Sequence, residues 1–121
     1  MKQAATEKLM VLGIDGMDPR LTKQYILEGR MPHTAELIAR GSARADLSML
    51  GGHPTVTPPM WTTLATGAYP CTHGITAFSR PSDTVPGAFV YNLDSRNCKA
   101  EPLWNVTAEA GLKTLVFHWP G

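Results

Sequence analysis

Two unbroken apolar stretches stand near the ends of the chain, LMVLGI at residues 9–14 and TLVFHW at residues 114–119. Neither alternates with polar residues, which predicts strands buried on both faces of a parallel sheet. The first run stops at Asp15-Gly16 and the second at Pro120. Between them the spacing becomes helical. Asp18-Pro19 predicts a helix start, with Asp18 as N-cap, Pro19 at the first helical position, Leu21, Tyr25 and Ile26 turned inward, and Gly29 at the end. Pro32 opens a second helix through Leu37, Ile38 and Ala39 to Gly41. Residues 42–49 read as a weaker strand, Ala43, Ala45 and Leu47 alternating with Arg44, Asp46 and Ser48.

A Gly51-Gly52 turn follows, and then Thr57 stands directly before Pro58-Pro59. That placement makes Thr57 the expected N-cap of a third helix. Its buried face is expected to carry Met60, Trp61, Leu64 and Ala65, and Gly67 is expected to close it. Residues 78–99 are punctuated by Pro81, Asp83, Pro86, Gly87, Asn92 and Asn97, with Phe89-Val90-Tyr91 as one short strand inside a long connection. Pro102 opens a last helix, Leu103, Val106, Thr107 and Ala110 inward and Gly111 closing it, before residues 113–119. The order β-α-α-β-α-loop-α-β predicts a three-layer α/β/α fold with a mainly parallel sheet. Nothing continues the layer beside the last strand, so the sheet is expected to be incomplete at the C-terminus. Residues 1–121 then read as the N-terminal portion of a single larger domain, with residues 1–8 polar and frayed.

Composition narrows the functional classes. With 121 residues, 43% hydrophobic and 17% charged, the chain is long enough to bury a core and is not of disordered type. A formal net charge of +1 supplies no basic field for nucleic acid or an anionic membrane. No membrane span and no export signal is read at the start, which makes the cytoplasm the expected location and Cys71 and Cys98 reduced thiols. The Asn105-Val106-Thr107 sequon is discounted on the same ground.

Two residues carry candidate chemistry. Asp15 closes the first apolar run, where open α/β sheets place their ligands, although an Asp-Gly pair is also ordinary turn chemistry. Thr57 sits at a helix start, where amides and the helix dipole favour an anion, although capping alone accounts for a threonine there. His53 and His118 have no partners at metal spacing and read as a loop and a packing histidine.

Taken together, VLGIDGMDP, GRMPHTAELIARGS and PTVTPPMWTTLATGAYPCTHGI resemble the alkaline phosphatase superfamily, and within it the type I phosphodiesterase/nucleotide pyrophosphatase group. The second segment is similar to the pattern G-x-x-P-x-x-x-x-L-x-x-x-G. The third is similar to P-x-x-T-x-P-x-x-x-x-x-x-T-G-x-x-P-x-x-H-G-I, and PLWNVTAEAGLKTLVFHWPG looks like the helix and strand that follow. The resemblance implies an alkaline-phosphatase-like fold and hydrolysis of a small-molecule phosphoester, a nucleotide among the candidates. It implies that Asp15 is a metal ligand and that Thr57 is both the nucleophile and a ligand of one of two divalent ions, zinc or alternatively manganese. The Thr66-Gly67 and His73-Gly74 pairs look structural. Phe78 departs from the group, some of whose phosphodiesterases carry an Asn there against the phosphoryl oxygen. Asp83, Asp94, Glu101 and Glu109 also lack the Asp-x-x-x-His and Asp-His forms of the remaining ligands.

Two other readings follow from the residues. Asp15 could itself be a nucleophile, but Met17 occupies the place where an Asp-x-Asp signature requires a second acid. Alternatively the chain is a truncated, non-catalytic copy that serves as a binding module or has no role; under the hydrolase reading the short chain alone is expected to be nearly inactive.

Overall fold

Each described α-helix begins at or beside a proline, whose fixed φ suits a first turn and whose missing N–H is no loss there. The computed structural model describes residues 8–49 and 53–120. The chain forms two compact units, Met1–Ser48 and Met49–Gly121. The expected fray at residues 1–8 lies, Lys8 apart, outside the described residues, as does the Gly51-Gly52 turn.

In the first unit α1 (Pro19–Leu27) is capped as expected: the Asp18 carboxylate accepts from the amides of Arg20 at 2.7 Å and Leu21 at 3.2 Å. Gly29, at φ 71°, supplies the left-handed exit toward α2 (Pro32–Arg40), which packs against α1. Thr22 is buried on α1 because its hydroxyl donates to the Asp18 carbonyl at 2.7 Å.

The second unit contains α3 (Thr57–Thr66), α4 (Pro70–His73), strands β1 (Ser79–Pro81) and β2 (Phe89–Tyr91), a 3-10 turn (Ser95–Asn97) and α5 (Leu103–Glu109). β1 and β2 are antiparallel, with Arg80 opposite Val90. Asn92 closes the base of this hairpin: its amide donates to the Phe78 carbonyl at 2.8 Å and its Nδ2 to the Ala77 carbonyl at 3.2 Å. The buried centre is made of Pro58, Pro59, Thr62, Ala65, His73, Ile75 and Asn92.

Four expectations are corrected. Residues 9–14 are not in a ladder, and Leu9, Met10, Leu12 and Ile14 are exposed, Leu12 at 78%. A strand exists only through its neighbour, and a long apolar run cannot supply one. Residues 42–49 are broken by a turn at Ala45-Asp46 and by Leu47 at φ 54°, a left-handed conformation no strand contains. Residues 113–119 likewise form no strand: His118 lies at φ 50°, and Leu115 and Phe117 are exposed. Among the described residues the sheet is therefore two-stranded and antiparallel. Finally, α3 does not bury the face expected of it. Pro58, Pro59, Thr62 and Ala65 are buried while Leu64 is exposed. Threonine tolerates that face because Thr62 donates to the Pro58 carbonyl at 2.8 Å, and half-buried Thr66 to the Thr62 carbonyl, also at 2.8 Å.

Candidate functional site

Thr57 is the first helical residue of α3, not its cap. The first i to i−4 hydrogen bond runs from the Met60 amide to the Val56 carbonyl at 3.2 Å, so Val56 is the N-cap, and its side chain makes no capping bond. Thr57 therefore stands one position past the cap. Pro58 and Pro59 remove two of the amides that ordinarily greet an anion at a helix start, so charge for a phosphate has to come from elsewhere. What the prolines add is rigidity. Both are fully buried, and both fix φ in the turn that carries the half-buried Thr57.

The other end of the motif folds back onto this turn. Gly67, at φ 67°, ends α3, and the Thr66 hydroxyl accepts from the Ala68 amide at 3.2 Å, turning the chain into α4. Gly74, at φ 83°, ends α4 just after His73. His73 is fully buried, and both ring nitrogens are used. Nδ1 accepts from the Ile75 amide at 3.1 Å, which places the proton of the neutral ring on Nε2. Nε2 then donates to the Thr63 hydroxyl at 3.1 Å, and the Pro59 carbonyl faces the ring as well. Burial pushes the pKa of His73 down, with the Pro59 carbonyl opposing in part.

Asp15 lies in the first unit, exposed in a turn completed by Gly16 at φ 66°. The structure thus confirms turn geometry at Asp15-Gly16 while removing the strand expected before it. His53 is an exposed loop residue, and His118 is exposed and stacked on Phe117 at 4.3 Å. Among the described residues no three His, Cys, Asp or Glu side chains are grouped to hold an ion. Catalytic zinc usually takes three protein ligands, so Asp15 and Thr57 do not by themselves make such a site.

Two cavities in the second unit lie away from Thr57. One, of about 30 Å³, is bordered by Thr66, Asp94 and Trp119 among others and has room for no more than a water. The other, of about 320 Å³, is lined by Met49, Thr63, Leu64, Gly67, Ala68 and Tyr69. It opens at the C-terminal end of α3, the end opposite the candidate nucleophile.

The geometry so described coincides with a family match. The model of the type I phosphodiesterase / nucleotide pyrophosphatase family matches residues 9–121, which include Asp15, Thr57 and His73. The chain belongs to this family. It is a member of the alkaline phosphatase superfamily, whose fold is of α/β type; the matched family hydrolyses phosphoester bonds and generally uses divalent metals. Searches of the curated proteins and of the solved structures gave no match. No helix among the described residues is long and apolar enough to cross a membrane.

Two residues of this region were not singled out from the sequence. His73 was read only as part of a loop-shaping pair, and Asn92 only as loop punctuation. A histidine directly before a left-handed glycine was the available signal for the first. Nothing local marks Asn92, whose partners Ala77 and Phe78 come from the far side of the hairpin.

Proposed function

We propose that this chain carries the nucleophile of a phosphoester hydrolase acting on a phosphodiester, pyrophosphate or phosphomonoester. In this reading Thr57 attacks, and Asp15 joins it as a ligand of two divalent cations, zinc first and manganese as the alternative. Membership of the family supports the reaction class. The observation that carries the residue assignment is the place of Thr57: on the first turn of α3, one residue past the Val56 cap and followed by two buried prolines.

The Thr57 hydroxyl would attack phosphorus in line with the leaving oxygen, giving up its proton as the leaving alcohol or phosphate takes one up. Water then attacks the phosphoryl or nucleotidyl ester on Thr57, releasing product and restoring the hydroxyl. A free threonine is a weak nucleophile near neutral pH, and bound divalent ions would supply the activation and neutralising charge that the proline turn withholds. Asp15 and Thr57 provide two donors toward that site rather than a full set. A mainly parallel, three-layer α/β/α sheet belongs to the same reading, as the fold the family implies.

The test is hydrolysis of bis(4-nitrophenyl) phosphate with added zinc or manganese, run on residues 1–121 alone, which with two donors are expected to be nearly inactive, and on a protein that joins them to a segment supplying further metal ligands, in which the variants are compared. Thr57→Ala is expected to lower the rate by at least about 1,000-fold while Thr57→Ser keeps a measurable rate. A Thr57→Ala protein at the wild-type rate would refute the assignment. The absence of a three-ligand cluster among the described residues favours a second reading, a non-catalytic relative that binds a phosphoester without turnover. Retained binding of the ester, with no hydrolysis at any metal concentration, would select that reading.

A further inference from the structure

Asp15 alone among the aspartates precedes a glycine; Asp18 precedes Pro19, Asp46 Leu47, Asp83 Thr84 and Asp94 Ser95. The difference is chemical. The γ-carbon of an aspartate stands one five-membered ring away from the amide nitrogen of the next residue. A side chain on that next residue crowds the nitrogen, a proline removes its proton, and a glycine does neither.

The fold leaves this pair open to ring closure. Asp15 and Gly16 are both exposed, and they occupy a turn, so no helical or ladder hydrogen bond fixes the torsions between them. Gly16 lies at φ 66°, and a Cβ built on it would meet no atom within 4 Å. Among the described residues its amide donates to no backbone carbonyl. The other aspartates meet obstacles. Pro19 has no amide proton, the Leu47 amide donates to the Arg44 carbonyl at 3.0 Å, and the Thr84 amide to the Ser82 hydroxyl at 3.3 Å. The Asp94 carboxylate accepts from the Arg96 amide at 3.0 Å and from Arg96 Nε at 2.9 Å.

We propose that Asp15-Gly16 is a site of spontaneous isomerisation to isoaspartate. The Gly16 nitrogen attacks Asp15 Cγ. An N–Cγ bond forms, a Cγ–O bond breaks, and the hydroxyl of the carboxyl group leaves with the amide proton as water. The resulting succinimide takes up one water. Opening at Cγ restores aspartate, whereas opening at the main-chain carbonyl routes the chain through Cβ and leaves a free α-carboxylate. Composition is unchanged overall, and no reactant but water is needed. The product lengthens the main chain by one methylene and displaces the carboxylate that the proposed function offers to a cation. The site itself does not depend on that role.

The experiment stores the full wild-type chain at neutral pH beside a free peptide of residues 9–20. Trypsin cuts after Lys8 and Arg20, so the same peptide is recovered from the protein and carries only Asp15 and Asp18. Isoaspartate is quantified by enzymatic methyl transfer and placed by electron-transfer fragmentation. It is expected at residue 15, forming in the folded chain within about tenfold of its rate in the free peptide, because an exposed turn opens at little cost. Asp15→Glu keeps a carboxylate but needs a larger ring, and is expected to abolish the signal in this peptide. Slower formation than that tenfold limit, formation at Asp18, Asp46, Asp83 or Asp94 as fast as at Asp15, or an unchanged signal in Asp15→Glu would overturn the proposal. None of these readouts measures turnover, so they stand or fall apart from the roles proposed for Thr57 and Asp15 in hydrolysis.

Discussion

The ring of Trp119 meets Trp61 edge to face, centroids 5.0 Å apart at 89°, and meets Trp104 at 5.7 Å. All three tryptophans of the chain thus join α3, α5 and the segment after α5 in one cluster. Edge-to-face pairs add to the stabilisation that burial of the rings already gives. The Trp119 Nε1–H is buried in this cluster and meets no acceptor among the described residues.

Trp119→Ala is accordingly expected to lower stability by about 2–3 kcal/mol, somewhat below the range for a fully buried tryptophan because Trp119 is only half-buried. Trp119→Phe keeps an aromatic edge and removes the unpaired donor, so its cost is expected to stay under about 1 kcal/mol. Urea unfolding of the two variants measures the difference, and equal losses would show that the indole N–H is paired.

His73 gives the fold a pH dependence. Its pKa is pushed below the ordinary 6.5 in the folded state by burial, so the unfolded chain binds a proton first as pH falls. The neutral ring's contribution is full above the unfolded value, declines as pH drops below 6.5, and levels off once pH is below the folded value. The urea midpoint of the wild type is expected to fall between about pH 7.5 and pH 5, and that of His73→Gln to fall less. Asp94 titrates elsewhere: its carboxylate is held down to about 2, chiefly by the Arg96 side chain, so its contribution is lost only as pH falls below 3.8 and toward 2. Being exposed, that pair is also expected to weaken with salt.

Gly74 and Gly67 should both resist a side chain through backbone strain rather than lack of space. Both lie at positive φ, 83° and 67°, where a Cβ is strained. At Gly67 an added Cβ meets nothing within 4 Å, whereas at Gly74 it meets the Lys99 stem at 3.4 to 3.6 Å. The Lys99 stem is thus at ordinary van der Waals distance, and Gly67→Ala and Gly74→Ala are each expected to cost about 1–2 kcal/mol from strain alone. Thermal unfolding of both variants checks that the two losses are alike, and a much larger loss at Gly74 would show that Lys99 obstructs the methyl.

Helices were legible in this sequence because their signals are local. Asp18-Pro19, Pro32 and Pro102 start helices, and Gly29, Gly41, Gly67 and Gly111 end them, all within a few residues of where the structure has them. α4 was missed because four residues between Tyr69 and Gly74 are too few to show a period. Only one strand was legible, Phe89–Tyr91, since an apolar run states what a segment could bury but not which partner it has. Residues 9–14 and 113–119 show that gap, and β1 was hidden because Ser79, Arg80 and Pro81 carry no strand signature until Phe89–Tyr91 pairs with them.

At the candidate site, the family motif gave Thr57 directly, but its helical position was read one residue early. The sequence pointed to a cap because threonine usually serves as one. The structure gives that place to Val56, whose carbonyl accepts the first helical bond. His73 could be read as structural but not as a bridge, because its contacts with Thr63 and Ile75 depend on how α4 returns to α3.

The most direct test of the catalytic role of Thr57 is acid-quenched turnover of bis(4-nitrophenyl) phosphate, in the presence of zinc and in a protein that supplies the further metal ligands, followed by peptide mass spectrometry. A phosphoryl ester is expected on Thr57 of the wild type, absent in Thr57→Ala together with hydrolysis. An ester on Asp15 instead, or hydrolysis by Thr57→Ala at the wild-type rate, would contradict the assignment.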